Sequence, residues 1–338
     1  MSNITEVPDE REFNYQDSYN LTAGACILVM GVFGIVSNST MIYIYCAYKS
    51  ERNSFNTICT TRAAINIYIL TVIFGLIFLP TTLYGYTPWF PTAVSAFLIA
   101  SANAFYSSNM NLTLFTAVNR CCAIFFPLRY SRLCGMRPTV LIILCIYGYR
   151  VASIIHEIYL SLTSRKCWVY FSPYYLAWMV TINDYCNPYQ NTTTPLFVVF
   201  GLTVAFNVLT FSKIALFYRK KSHTDKTSRN RERKNIRLFF QTVLQDALYV
   251  IDLTFTFKLA TVIKHRLWYF LSGTLIWETM HSIDGFVMVV FTERYNLLKS
   301  CLPTLSAPPS LVTVPTVDRK VRIFSQTSVV GTASGISY

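Results

Sequence analysis

The chain has 338 residues, of which 53% are hydrophobic and only 13% charged, whereas soluble globular proteins carry about a quarter charged residues. That balance excludes an ordinary soluble globular domain and suits a lipid solvent. A net charge of +13 raises nucleic acid as a partner, but the basic residues fall between apolar runs, where membrane topology explains them, and no nucleic-acid binding is expected.

Residues 1–20 are polar and acidic, with Glu6, Asp9, Glu10, Glu12 and Asp17, and read as an extracellular tail rather than a signal peptide. Span one is Leu21 to Tyr48, span two Ile58 to Tyr84 and span three Thr92 to Val118. No Asp, Glu, Lys or Arg occurs between Ala63 and Asn119, and roughly 20 apolar residues cross a bilayer core. Span four, Pro138 to Leu160, is interrupted by Arg150, which must snorkel or find a partner, with His156 and Glu157 near its outer end. Span five is Pro195 to Tyr218, span six Leu238 to Val262 and span seven Leu267 to Thr292. The last two carry acidic residues, which in membrane helices face the bundle interior. The pattern predicts an all-α membrane protein, a seven-transmembrane helix bundle over 21–292. Residues 293–338 form a cytoplasmic tail, rich in Ser, Thr and Pro beyond Cys301 and largely disordered.

Charge sets the orientation. With the N-terminus outside and the C-terminus cytoplasmic, the inner connections 49–57 (with Arg62), 119–137 and 219–237 hold three, four and nine Lys or Arg. The tail and the outer connections 85–91, 161–194 and 263–266 hold one, none, two and two. Sixteen against five follows the positive-inside rule. Asn3 and Asn191 are glycosylation acceptors on outer segments, and Asn20 is too close to the membrane. Asn38 and Asn111 match the same pattern inside spans, which shows how weak it is alone.

Span three ends in Asn119-Arg120-Cys121-Cys122-Ala123-Ile124-Phe125-Phe126-Pro127-Leu128-Arg129-Tyr130. Arg120, Ile124, Pro127, Leu128 and Tyr130 stand at the spacing of the rhodopsin-like receptor signature, which this segment resembles; Asn119 replaces its acid and Cys121 its aromatic. Gly34 and Asn38 in span one, and Pro80 near the end of span two, extend the likeness. More narrowly, Asn119-Arg120 with Pro127, Gln241 with Gln245-Asp246, and Trp277 with His281 and Asp284-Gly285 make the chain similar to the nematode serpentine chemoreceptors of the srx type. A proline inside span five, the Trp and Pro of span six and the Asn-Pro of span seven are missing.

The resemblance implies a G-protein-coupled chemosensory receptor in the plasma membrane, in the cilium of a sensory cell, signalling a small extracellular or environmental ligand to a heterotrimeric G protein. No cofactor, metal or enzymatic activity is implied. Asn119, Arg120, Ile124, Pro127, Leu128 and Tyr130 become the candidate coupling segment. In that family the arginine bonds its acidic neighbour at rest and meets the G protein when active; Asn119 cannot make that ion pair. An arginine at a helix end also snorkels to lipid phosphates, so both roles stand on the residues alone. Asn38, Asn66 and Asp284, at middle depth of spans one, two and seven, stand where rhodopsin-like receptors keep a polar switch cluster, with interhelical hydrogen bonding the plainer role.

Gln241, Gln245 and Asp252 share one face of span six, and Glu278, His281 and Gly285 one face of span seven. Asp252, Phe255, Lys258, Glu278 and His281 are the candidate ligand pocket. Cys167 and Cys186 share the outer loop and are expected to pair, worth about 3 kcal/mol, with two free thiols the alternative. The basic inner loop 219–237 attracts anionic membrane lipid and adds a G-protein contact, and Cys301 is placed for palmitoylation. A transporter is the first alternative, suggested by the acids in the spans, but neither repeated halves nor broken helices are visible. A ligand-gated seven-helix channel places its N-terminus inside, against the charge count. A retinal pigment fails because span seven has no lysine.

Overall fold

The computed structural model describes residues 17–160, 163, 169–180, 188–220, 226–260 and 262–291. Seven long helices run through these residues, and five of them have stretches long and apolar enough to cross a membrane: Ser18–Ala47, Ser54–Tyr84, Tyr130–Leu160, Pro195–Leu216 and Ile236–Leu259. The Arg150-bearing span is among them. The helices at Thr92–Phe125 and from Arg266 to Phe291 are continuous but are not among the five, because their middles carry polar side chains. Those side chains are buried against other helices, Ser108, Asn109, Thr113 and Thr116 in the first and Glu278, His281, Ser282 and Asp284 in the second. A helix whose polar face is buried in the bundle reads as too polar on average.

Helix α1 is Ser18–Ala47, started by Asp17, whose carboxylate accepts from Asn20 N at 2.7 Å. Asn20 is fully buried and donates to Thr82 O at 2.7 Å, which rules it out as a glycan acceptor. Helix α2, Ser54–Tyr84, starts at an Asn53 cap, widens to π-helical turns over Ile69–Phe78 and stops at Gly85, whose φ of 81° favours glycine. The wide turns lead into Pro80, whose ring and missing N–H disfavour a tight α-turn. Helix α3, Thr92–Phe125, has 34 residues, about 50 Å at 1.5 Å each.

Helix α4 is Met136–Leu160, preceded by the single turn Tyr130–Leu133. Helix α5 is Pro188–Lys220, which begins seven residues before the apolar span at Pro195–Leu216, so Pro195 lies inside the helix at the start of that span. Helix α6 is Lys226–Thr254 and continues through wide turns over Phe255–Leu259, so helix reaches far into the basic segment predicted to be loop. Helix α7 is built from Arg266–Tyr269, Phe270–Leu275 and Ile276–Phe291, the middle stretch again π-helical. The apolar stretches of α4 and α5 are mostly exposed, whereas half of that of α2 is buried, so α4 and α5 present most of their surface outward.

Helices α1 and α7 approach closely. A methyl group on Gly34 would lie 2.4 Å from Ser282 Oγ and 2.8 Å from its Cα, and one on Gly285 would meet the Asn38 amide at 2.5 Å. Small residues at such crossings let backbones touch.

One element was not anticipated. Within the predicted outer loop, strands β1 (Val169–Ser172) and β2 (Ala177–Val180) pair antiparallel, with Val169 opposite Val180 and Ser172 opposite Ala177. The hairpin docks on the bundle. Phe171 stacks on Phe78 with ring centres 4.1 Å apart, and Thr274 Oγ1 donates to Leu176 O at 2.7 Å. Leu176 adopts a φ of 55°, a left-handed conformation costing about 1–2 kcal/mol, and its burial to 1% exposure holds it there. Arg266 at the start of α7 donates to Asp17, Asn20, Pro173 O and Tyr174 O, joining the hairpin to α1.

Candidate functional site

Polar side chains from five helices meet in the bundle centre. Asp284 Oδ1 accepts from Arg62 Nη2 at 2.7 Å and from Gln245 Nε2 at 2.8 Å, while its Oδ2 accepts from Asn66 Nδ2 at 2.9 Å. Asn66 Nδ2 also donates to Asn38 Oδ1 at 3.1 Å. Asn38 in turn donates to the backbone oxygens of Gly34 and His281. With its amide hydrogens thus used, Asn66 is an acceptor at Oδ1, taking bonds from Asn109 Nδ2 at 3.1 Å and His281 Nδ1 at 2.8 Å. That fixes the proton of a neutral His281 on Nδ1 and leaves Nε2 a bare acceptor without a partner among the described residues. The cluster thus brings together Asn38 of α1, Arg62 and Asn66 of α2, Asn109 of α3, Gln245 of α6, and His281 and Asp284 of α7.

Of the three residues singled out from the sequence, Asn66 bonds both Asn38 and Asp284 and so joins them. The sequence reading missed Arg62 and Asn109 and placed Gln245 only on a shared face. Arg62 had been counted with the inner-loop charges, yet its side chain is 1% exposed and lies against Asp284 and over the Tyr249 ring. Its position one helical turn before Asn66 was the available signal.

Toward the hairpin lies an aromatic and acidic layer. Tyr106 donates to Asp252 Oδ2 at 2.6 Å, and the Tyr106, Trp277 and His281 rings pack edge to face. Glu278 is fully buried beside Gly31, and neither carboxylate oxygen has a hydrogen-bond partner among the described residues. Asp252 and His281 both reach the Tyr106 side chain, while Glu278 lies on the α1 side of α7 against Gly31. Phe255 and Lys258 lie elsewhere: Phe255 packs on Trp268, and Lys258 is exposed.

At the opposite end, Arg120 is 8% exposed, with its Cζ 3.7 Å from the centre of the Phe55 ring. Arg120 Nε and Nη2 are buried without partners among the described residues, as is Asn119 Nδ2. Tyr130 shares a hydrogen bond with Ser54 at 2.9 Å, Ile124 is half-buried, and Pro127 and Leu128 are exposed. Cys167, Cys186 and Asn3 lie outside the described residues; the backbone of Asn191 is helical in α5, and its side chain lies outside them.

Two comparisons bear on this arrangement. The model of the family described as Serpentine type 7TM GPCR chemoreceptor Srx matches residues 28–292. Serpentine receptor class X 45 of Caenorhabditis elegans is 22% identical over 301 residues, covering 81% of this chain and 79% of that protein. With its apolar helices, the chain is a multi-pass membrane protein of a receptor class, not an enzyme class. It belongs to the Srx family of serpentine seven-transmembrane chemoreceptors.

Proposed function

We propose that the protein is a G-protein-coupled chemosensory receptor of the plasma membrane, with seven spans, the N-terminus outside and the C-terminus in the cytoplasm. The observation that carries the reading is Arg120, buried on a ring at the end of α3 within the Asn119–Tyr130 signature and unpaired with any acid among the described residues. A cation so held is able to leave for carbonyl oxygens of a partner. The orientation places Arg120 inside and the β-hairpin outside; it rests on the positive-inside count, which survives the removal of Arg62 at fifteen against five.

In this reading a small ligand reaches the layer of Asp252, Glu278 and His281 beneath the hairpin, where the unpartnered Glu278 carboxylate is the anchor for a donor or cationic group. Its binding biases the cluster around Asp284, whose three donors come from α2 and α6, and the bundle shifts toward a state that accepts the G protein. The Cys167–Cys186 bond, glycans on Asn3 and Asn191 and placement in a sensory cilium complete the proposal.

The test is expression with a panel of Gα subunits, challenged with small volatile and water-soluble compounds. Ligand-dependent nucleotide exchange is the expected result. Uptake of a labelled compound by reconstituted protein, with no exchange on any Gα, would replace the receptor reading with a transporter.

A further inference from the structure

We propose that Phe55 is the positioning residue for Arg120, its ring face holding the guanidinium in the resting bundle where Asn119 offers no carboxylate. The proposal rests on the coupling role given to Arg120 above.

Four observations carry it. The 3.7 Å from Arg120 Cζ to the ring centre is well inside the roughly 6 Å reach of a cation–π contact. Both residues are 8% exposed, and such contacts gain strength when desolvated. The guanidinium has little else to hold it, since Nε and Nη2 lack partners. The ring, by contrast, is anchored: Asn53 Oδ1 accepts from Asn56 N at 2.9 Å, Asn56 Nδ2 donates to Glu51, and Ser54 is bonded to Tyr130. The first turn of α2 is thereby fixed to the segment that follows α3, and Phe55 is presented at a set height to Arg120.

Phe55 also lines a cavity of about 40 Å³ together with Met41, Gln241, Met288 and Phe291. Release of Arg120 thus requires breaking one stacking contact and no ion pair, which makes the resting state shallow and its depth tunable by the electron density of a single ring.

The experiment replaces Phe55 with mono-, di- and trifluorinated phenylalanine by nonsense suppression, which preserves shape while stripping the ring face of negative charge. Ligand-independent nucleotide exchange on the Gα that the wild type activates should rise stepwise along the series, reaching roughly threefold to tenfold, at matched surface expression. Phe55→Leu should match the end of the series. The fluorine NMR signal of the monofluorinated receptor should shift when Arg120→Ala is added, which reports the stacking without any G protein. An unshifted signal overturns the contact. A flat series in a receptor that Arg120→Ala silences overturns the positioning role alone, whereas retained exchange in Arg120→Ala overturns the coupling reading and the proposal with it.

Discussion

Arg62 and Arg120 are both buried arginines, 1% and 8% exposed, held in opposite ways. Arg62 lies 2.7 Å from a carboxylate that is 1% exposed, inside a hydrogen-bonded cluster spanning five helices. Among the described residues Arg120 has a ring face, two unpartnered nitrogens and no acid. A buried ion pair is costly to break because each partner leaves an uncompensated charge, so the first arginine resists movement. The second loses only a stacking contact on leaving. One arginine therefore serves the architecture, and the other is poised for a change of partner.

The largest expected effect comes from breaking the fixed side of this contrast. Asp284→Asn leaves Arg62 charged and unpaired and should cost about 3–5 kcal/mol, seen as a loss of surface receptor and a lower apparent Tm of the purified protein. Wild-type stability would mean that Asn66 and Gln245 carry the cluster without the charge. Gly34→Ala should cost about 1–3 kcal/mol by overpacking, since the added methyl meets the Ser282 backbone; thermal unfolding of the same preparation measures whether the α1–α7 crossing is as rigid as the cluster requires. The smallest effect, about 1 kcal/mol, is expected for Ser54→Ala, which frees Tyr130 and loosens the turn carrying Phe55. Its signature is a modest rise in basal exchange with little change in apparent Tm, and an unchanged basal rate would separate that turn from the hold on Arg120.

Much of this contrast was legible in the sequence, unevenly. The apolar runs fall on the seven long helices of the described residues, and Asn38, Asn66 and Asp284 stand out in the sequence because polar groups at middle depth of a span are costly. Arg62 was misplaced because a residue beside a loop reads as loop charge until its partner, 222 residues away, is known. The Phe55–Arg120 stack was invisible for the same reason, a tertiary contact between an ordinary phenylalanine and a helix-end arginine. The hairpin escaped notice because four-residue strands give too few alternations to register against the surrounding polar loop. Helix α3 taught the converse lesson: its central position lets it bury Ser, Thr and Asn, so average hydropathy understates it.

The most direct measurement of the central claim is nucleotide exchange on a responsive Gα by Arg120→Ala, compared with wild type at equal surface expression and with its apparent Tm recorded. The account predicts a folded receptor, near wild type in Tm, that no longer couples. Coupling at the wild-type level by Arg120→Ala would contradict it.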